Sequence, residues 1–393
     1  MKITQIKMTT LNPVSQKGFL VIVLLELFLG GGGRLIDVGP LSLRMYFFIL
    51  AIFMSAIILL EDRPVSKNFF YVLLSFTVLL IVSASIGFLN GASANMILND
   101  IKPLLFIYFL IFFYLTIRTE EDVQMVVKVI KFSAILLAVL YISTFVLINT
   151  GLVSFREFYG AVSSSEEFFF RGEFAFFYKG FIYMCVGLFF FLTEEKINKT
   201  VVIILTLAVI LTFTRGFIVS IVLTYLTYLA FIRKSGFKVL LFSVVIAVGS
   251  AFLWSYFYAT DLNRAGSDSA RVAQIRESIE MITPASLLIG HGFGIGVPSR
   301  PERMEIAYLE IFHKQGLFGL LFWFSLFIFG LMLYGSAKNR NVRMAAPFLL
   351  SVMLIYIQSI SNPFINNPIG LTMILLSLVC MRIIGRKEIP DEN

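Results

Sequence analysis

Apolar residues recur in runs along almost the whole chain, near 18–33, 44–60, 68–89, 101–117, 129–149, 174–193, 200–214, 217–232, 237–257, 306–334, 345–361 and 369–384. About 20 consecutive apolar residues suffice for an α-helix to cross the hydrocarbon core of a bilayer. Backbone polar groups cannot stay unpaired in lipid, so these runs predict helices and not open strands. The pattern therefore predicts an all-α integral membrane protein, a polytopic bundle of about twelve transmembrane helices forming one domain over residues 1–393. The first, seventh and eighth runs are short and are expected to be tilted, broken or re-entrant.

The polar stretches between the runs set a direction. With the N-terminus cytoplasmic, the inner loops carry Arg63 and Lys67, then Lys196 and Lys199, then Arg233, Lys234 and Lys238, then Lys338, Arg340 and Arg343, and the tail adds Arg386 and Lys387. Basic residues collect on the cytoplasmic side of membrane proteins, and an even number of spans puts both termini there. Two outer segments remain, about 150–173 and a larger one at 258–305.

Composition agrees. Hydrophobic residues make up 58% of the chain and charged residues 14%, against about 25% charged in soluble domains. Mean hydropathy is +0.89. The formal charge of +8 would point to nucleic acid in a soluble protein; here much of it sits in short inner loops, so no nucleic-acid partner is expected. Cys185 and Cys380 both fall in apolar runs, and His291 and His313 are the only histidines, so neither a disulfide framework nor a metal centre is indicated. The first run ends in Gly30–Gly33 and has no small-residue cleavage site, which predicts an uncleaved signal-anchor.

The candidate chemistry lies in the outer loops. The 258–305 segment holds Arg264, Arg271, Arg276, Arg300 and Arg303 and no lysine, and the 150–173 segment holds Arg156 and Arg171. Arginine offers a permanent, planar fork that grips phosphate oxygens through two bonds. The cluster suggests a phosphorylated ligand at the membrane surface. The plainer alternative is pairing with Asp261, Asp268, Glu277, Glu280 and Glu302 or with lipid headgroups, and it is the simpler account of Arg264, Arg276, Arg300 and Arg303 taken singly. Both accounts stand for Arg171. Arg215 sits in a tight Thr214-Arg215-Gly216 turn between two spans, where a charge at the membrane edge suggests function.

Within the large loop, Val272, Ile275, Ile279 and Ile282 recur at helical spacing, predicting a short amphipathic helix over Ser269–Ile282 that ends at Thr283-Pro284. Its apolar stripe is expected against the membrane or the bundle. Arg271 falls in its first turn, where the helix dipole already favours anions. The run Gly290-His291-Gly292-Phe293-Gly294-Ile295-Gly296 lets backbone approach a ligand or another helix closely, but it lacks the Gly-Lys-Ser/Thr ending of a phosphate loop. His291 is expected to be a loop residue more than a catalyst. The chain then re-enters the membrane from Glu305. Glu305 and Glu310 project about 140° apart on a helix and cannot form a close acid pair. Glu305, beside the arginines, is a candidate general base or a salt-bridge partner of Arg271 or Arg303. Glu310 and His313 are expected to be buried hydrogen-bonders, and Gly316 and Gly319 to permit close helix packing.

Three pieces resemble the bacterial O-antigen polymerase and O-antigen ligase superfamily. Leu211-Thr212-Phe213-Thr214-Arg215-Gly216 is similar to its S/T-R-G hairpin. Ser269-Ala270-Arg271, a helix, and Leu288-Ile289-Gly290-His291-Gly292-Phe293-Gly294 follow its Arg–helix–G-x-G-x-G order. Tyr308-Leu309-Glu310-Ile311 leading to Gly316-Leu317-Phe318-Gly319-Leu320 is similar to its re-entry helix. The motifs span roughly 205–325. Ligases carry a His-Asn pair just before that helix, where Glu305-Ile306 stand here, a difference that favours the polymerase branch. The resemblance implies a metal-independent, cofactor-free glycosyltransferase of the GT-C type in the bacterial inner membrane, with 258–305 as a large periplasmic loop. It would transfer a growing glycan from undecaprenyl pyrophosphate to a sugar hydroxyl of a lipid-linked repeat unit, with membrane lipid around it and a polysaccharide chain-length regulator as a partner. By the same analogy Arg215 and Arg271, with Arg171 and Arg276, would hold the pyrophosphate. Glu305 would take the proton, and His291, Tyr308 and Arg303 would be further contacts. The rival expectations are an O-antigen ligase and a lipid-linked oligosaccharide flippase; the near absence of mid-span charge speaks against a flippase.

Overall fold

The computed structural model describes residues 13–39, 41–60, 65–171, 175–232, 234–236 and 265–386. In chain order they form α1 (Pro13–Leu29), α2 (Leu43–Leu59), α3 (Lys67–Leu89), α4 (Ala94–Leu104), α5 (Phe109–Thr116), α6 (Glu120–Asn149), α7 (Phe155–Val162), α8 (Ile182–Leu192), α9 (Lys199–Leu211), α10 (Arg215–Thr227), α11 (Ala265–Glu280), α12 (Pro284–Ile289), α13 (Ala307–Gln358) and α14 (Pro368–Gly385). Polar residues cap several starts, as short side-chain acceptors should. Thr119 and Asp122 form a capping box on α6, Thr283 and Ser286 form one on α12, and the Asn367 side chain takes two N–H groups of α14.

The protein is a helical membrane protein. Among the described residues, five helical stretches are long and apolar enough to cross a bilayer: Lys67–Leu89, Ala94–Thr116, Glu120–Asn149, Ala307–Gln358 and Pro368–Gly385; Leu43–Leu59, Lys179–Leu192, Lys199–Leu211 and Arg215–Ala230 are shorter apolar helices. Burial separates centre from periphery. Almost every residue of α8 and α14 is buried, as expected of helices apolar on all sides. On α3, Phe69, Leu73, Phe76 and Leu80 are buried while Phe70, Leu74, Val78 and Ile81 stand exposed. Both faces are apolar, so the outer one is suited to lipid.

Beyond shifted helix ends, such as α6 starting at Glu120 and α4 at Ala94, two elements differ in kind from the hydropathy reading. The apolar run 174–193 does not begin as a helix. Phe168–Arg171 and Ala175–Tyr178 pair as an antiparallel hairpin, and helix starts only after it; stacked aromatic pairs such as Phe168–Tyr178 favour the strand form there. The runs 306–334 and 345–361 both lie in the 52-residue α13, which is non-helical at Gly316 and Asn341. A straight helix of that length would extend about 78 Å. Instead its halves fold back on each other: Tyr356 Oη donates to Trp323 O (2.6 Å) and Tyr308 Oη to Tyr356 O (2.7 Å). The 237–257 run lies outside the described residues.

Contacts sort the loops to two ends of the bundle. At one end Lys17 meets Asp122, Lys131 meets Glu194, Arg343 meets Glu195 and Arg382 meets Ser66. At the other, Gly32 N donates to Glu167, Asn90 to His291 O, Arg303 to Asn99 O and Asn366 to Glu310.

Candidate functional site at the loop-rich end of the bundle

The second end holds a cavity of about 580 Å³. Its walls come from segments distant in sequence: the turn after α1, α4, the residues just before and after the 168–178 hairpin, the loop before α13, the first turns of α13, and the entry to α14.

The wall is built around Lys314, which is 3% exposed. Its ammonium donates to Asp100 Oδ1 (2.8 Å), Glu310 Oε1 (2.9 Å) and the carbonyl of Glu302 (2.8 Å). Asp100 Oδ2 accepts from Gly294 N at 2.7 Å, and Glu310 Oε2 accepts from Asn366 Nδ2 at 2.8 Å. Isolated buried charge is costly, so pairing of this density is what such a position requires. One cation here faces two carboxylates.

The glycine run explains how Lys314 is presented. Gly316 adopts φ +65°, a left-handed conformation that breaks α13. The carbonyls of His313 and Lys314, freed from helical bonding, instead accept from His291 N (2.8 Å) and Gly292 N (3.0 Å). Gly292, at φ +87°, lies so close to α3 that a Cβ there would stand 2.0 Å from Gly87 N. Of the two uses open to alternating glycine, close approach to another helix is the one these contacts display, with Gly294 also lining the cavity.

A second cluster also borders the cavity. Arg44, 1% exposed, donates to both oxygens of Glu26 (3.1 and 3.0 Å) and to the carbonyls of Gly31, Glu26 and Leu27. Buried Glu167 accepts from Gly32 N and Arg34 N, and Arg34 pairs with Glu166. Lys179 also lines the cavity. Among the described residues it makes no ion pair, and its ammonium lies 5.7 Å from the centre of the Phe169 ring.

The sequence-predicted residues fall mostly around this cavity and not in it. Glu305 and Arg271 do meet: Arg271 Nε lies 3.1 Å from Glu305 Oε2, and Arg300 Nη2 is 3.0 Å from Glu305 Oε1. Gln274, fully buried on α11, accepts from Glu305 N at 2.9 Å. Arg303 lines the cavity and donates to Asn99 O at 3.0 Å. Arg276 is exposed and pairs with Glu280 one helical turn away at 2.8 Å, so the plain reading holds for its side chain. Arg215 is exposed at the start of α10, directly after a turn in which Phe213 has φ +51°; left-handed backbone at a non-glycine residue is strained and clusters at functional positions. Arg171 ends the first strand of the hairpin. Arg264 lies outside the described residues. The Tyr308 hydroxyl is engaged within α13, and its ring stacks on Phe324. His291 and His313 face each other with ring centres 4.6 Å apart, and burial pushes the His291 imidazole below its ordinary range.

The amphipathic helix forms, as α11, with its polar side inward. Gln274 and Ser278 are buried, while Val272, Ile275, Ile279 and Ile282 are 65%, 41%, 60% and 40% exposed. Of the two expected partners for the stripe, the bundle does not cover it among the described residues.

Glu310 was legible as a buried hydrogen-bonder, and its bonds to Lys314 and Asn366 agree. Arg44, Asp100, Lys179, Lys314 and Asn366 carry no motif. The one local signal was the Glu310–Lys314 spacing of four, which puts opposite charges on one helix face.

The sequence is 31% identical to an O-antigen polymerase of Shigella flexneri over 374 residues, which cover 91% of this chain and 92% of that protein. The chain belongs to the O-antigen polymerase family. No family model matches the sequence. Membership makes it a membrane enzyme of polysaccharide biosynthesis, and it agrees with the polymerase branch that Glu305-Ile306 favoured over the ligase branch.

Proposed function

We propose that the chain is a surface-polysaccharide polymerase of the bacterial inner membrane that transfers a growing glycan from undecaprenyl pyrophosphate to a sugar hydroxyl of a lipid-linked repeat unit. The end-to-end match to an O-antigen polymerase carries this reading. The membrane topology is about twelve crossings with both termini cytoplasmic, so that the cavity opens to the periplasm beside the 258–305 loop, in a GT-C-like architecture. A chain-length regulator is a fitting partner for an enzyme whose product length must be set.

Transfer expels a pyrophosphate that gains negative charge in the transition state. Preorganised guanidinium groups stabilise that charge without a metal. Arg271 is assigned this role, together with Arg215 and Arg171; Arg276, paired with Glu280, is assigned a weaker share. Glu305 holds Arg271 and Arg300 by one oxygen each. That arrangement suits it to orienting the guanidinium groups better than to taking a proton.

The test is incubation of the purified, membrane-reconstituted chain with a lipid-linked repeat unit. A glycan ladder that persists in EDTA is expected. Arg271→Lys and Arg215→Lys should insert normally and yield no ladder, because an ammonium cannot reproduce the two-pronged grip. Unchanged polymer length and yield in both variants would overturn the arginine assignment. Transfer only to lipid A core would indicate a ligase, and lipid translocation without a glycan product a flippase.

A further inference from the structure

The charges that line the cavity do not all find partners. Lys314 takes two of the carboxylates there, Asp100 and Glu310. Arg34 takes Glu166, Glu167 is occupied by the N–H groups of Gly32 and Arg34, and Arg44 is held by Glu26. That leaves Lys102, Lys179 and Arg303 as cations, against one exposed carboxylate, Glu302. Among the described residues none of the three makes an ion pair. Arg303 spends one N–H group on Asn99 O, and Lys179, half-buried, has the Phe169 ring at 5.7 Å. A cation withdrawn from water without a counter-ion is costly, and a ring offsets only part of that. The three also sit together. Lys102 follows Asn99 by three residues on α4, on the same helix face, so Arg303 lies beside it. The Lys179 ammonium is within electrostatic reach of Arg303 and Arg34. Its backbone is fixed by an N–H bond to Glu167 O (3.1 Å) at the close of the hairpin. At about 580 Å³ the cavity is in the size range of small-ligand sites, and its unmatched cations call for an anionic group.

The reaction supplies two such groups at once. The donor's diphosphate leaves and gains charge, whereas the acceptor's diphosphate keeps its bond to the sugar. The attacking hydroxyl lies on a sugar of the repeat unit, away from the acceptor's own diphosphate, so the two diphosphates need separate seats. Their demands differ. A leaving diphosphate calls for guanidinium forks that bind the transition state better than the ground state, and the rim offers arginines. A spectator diphosphate is bound equally before and during the reaction, and fixed point charges suffice for it. Lysine is such a charge, and two of the three unmatched cavity cations are lysines.

We infer that this cavity seats the diphosphate of the acceptor, a second diphosphate apart from the one assigned to the rim arginines, with Lys179, Arg303 and Lys102 as its binding residues. This rests on the polymerase reading above. Lys314 and Arg44, fully committed within the wall, hold the shape of the seat and do not bind the ligand. Binding of this uniform kind lowers the KM for the acceptor and leaves kcat alone.

The experiment uses the full chain in proteoliposomes and separates the two roles of the substrate. The donor is the lipid-linked repeat unit without its attacking hydroxyl, which cannot accept. One acceptor is the repeat unit on a methylene-phosphonate analogue of undecaprenyl pyrophosphate, which cannot donate; the other is the free oligosaccharide. Wild type should prefer the diphosphate acceptor. Lys179→Gln and Arg303→Gln should each cut that preference, as a ratio of kcat/KM values, by about ten- to hundredfold, the usual weight of a charged hydrogen bond. The loss should appear in KM, and Lys179→Arg should restore most of it. An undiminished preference overturns the inference. So does a variant that raises the KM for the donor instead, since the cavity would then seat the leaving group. If neither variant folds, Lys102→Gln on the exposed side of α4 decides by the same ratio. A wild-type protein that makes no product from any pair is a failure of the polymerase reading itself. Binding of undecaprenyl pyrophosphate then tests the seat alone: two equivalents per wild-type chain, falling to one in Lys179→Gln, support it, and a single equivalent in wild type overturns it.

Discussion

The cavity wall and the arginine rim are both rich in charge, yet they are built on opposite terms. In the wall, Lys314 and Arg44 are 3% and 1% exposed, and each is bonded to several partners, Asp100 reaching Lys314 from a distant part of the chain. At the rim, Arg276 and Glu280 pair along one exposed helix, and Arg271, Arg300 and Glu305 are partly open to solvent. The wall charges are held in place by the fold. The rim charges are available to exchange their partners for a ligand. Water screens the rim, so its ion pairs add little stability, whereas breaking a buried pair leaves a charge uncompensated.

That contrast can be broken most directly at Lys314. Lys314→Met leaves Asp100 and Glu310 facing each other, and it should destabilise the protein by about 3–5 kcal/mol, read as a lowered thermal midpoint in detergent. A midpoint equal to wild type would remove the distinction between wall and rim. Next in size is Gly292→Ala. A methyl group 2.0 Å from Gly87 N must push the glycine run off α3, and overpacking of this kind costs about 1–3 kcal/mol. Native-state hydrogen exchange should report weaker protection at His291 and Gly292, whose N–H groups bond α13.

The rim should respond more weakly. Two hydrogen bonds from Ser299, one from its N–H and one from its hydroxyl, hold the Glu277 carboxyl below its ordinary range. A depressed carboxyl contributes stability that is present above its unfolded value and lost as pH falls through its folded value. Protection of the Ser299 N–H, taken against its intrinsic exchange rate at each pH, should therefore fall only below about pH 4.5, the ordinary glutamate value; loss of that protection at neutral pH would contradict the assignment. Smallest of all is Arg276→Ala, which should leave the thermal midpoint unchanged; a clear drop would move that pair into the class of the wall.

The same contrast explains what the sequence made legible. Helical periodicity and apolar length are local properties, and they located α2, α3, α9, α11 and α14 closely; α6 begins nine residues before its apolar run because its first turns are polar. Local chemistry also marked Arg271, Glu305 and the glycine run, because a charge or glycine in an unusual setting is visible by itself. The cavity was not visible, because Asp100 and Lys314 meet across 214 residues of sequence and only packing brings them together. The hairpin inside the 174–193 run was missed because consecutive phenylalanines satisfy a hydropathy window whichever conformation they adopt. The break at Gly316 was read as helix packing; its other consequence, freed carbonyls that receive the glycine run, depends on a partner loop that no local pattern identifies.

The most direct measurement of where a substrate sits is photo-crosslinking with a lipid-linked repeat unit carrying a diazirine on the sugar next to its diphosphate, followed by peptide mapping. Labelling within 96–106 and 301–315 is predicted, and it should be lost on competition with unmodified repeat unit. Competable labelling confined to the exposed face of α11 and to the Arg215 turn, with none in the cavity wall, would contradict the account.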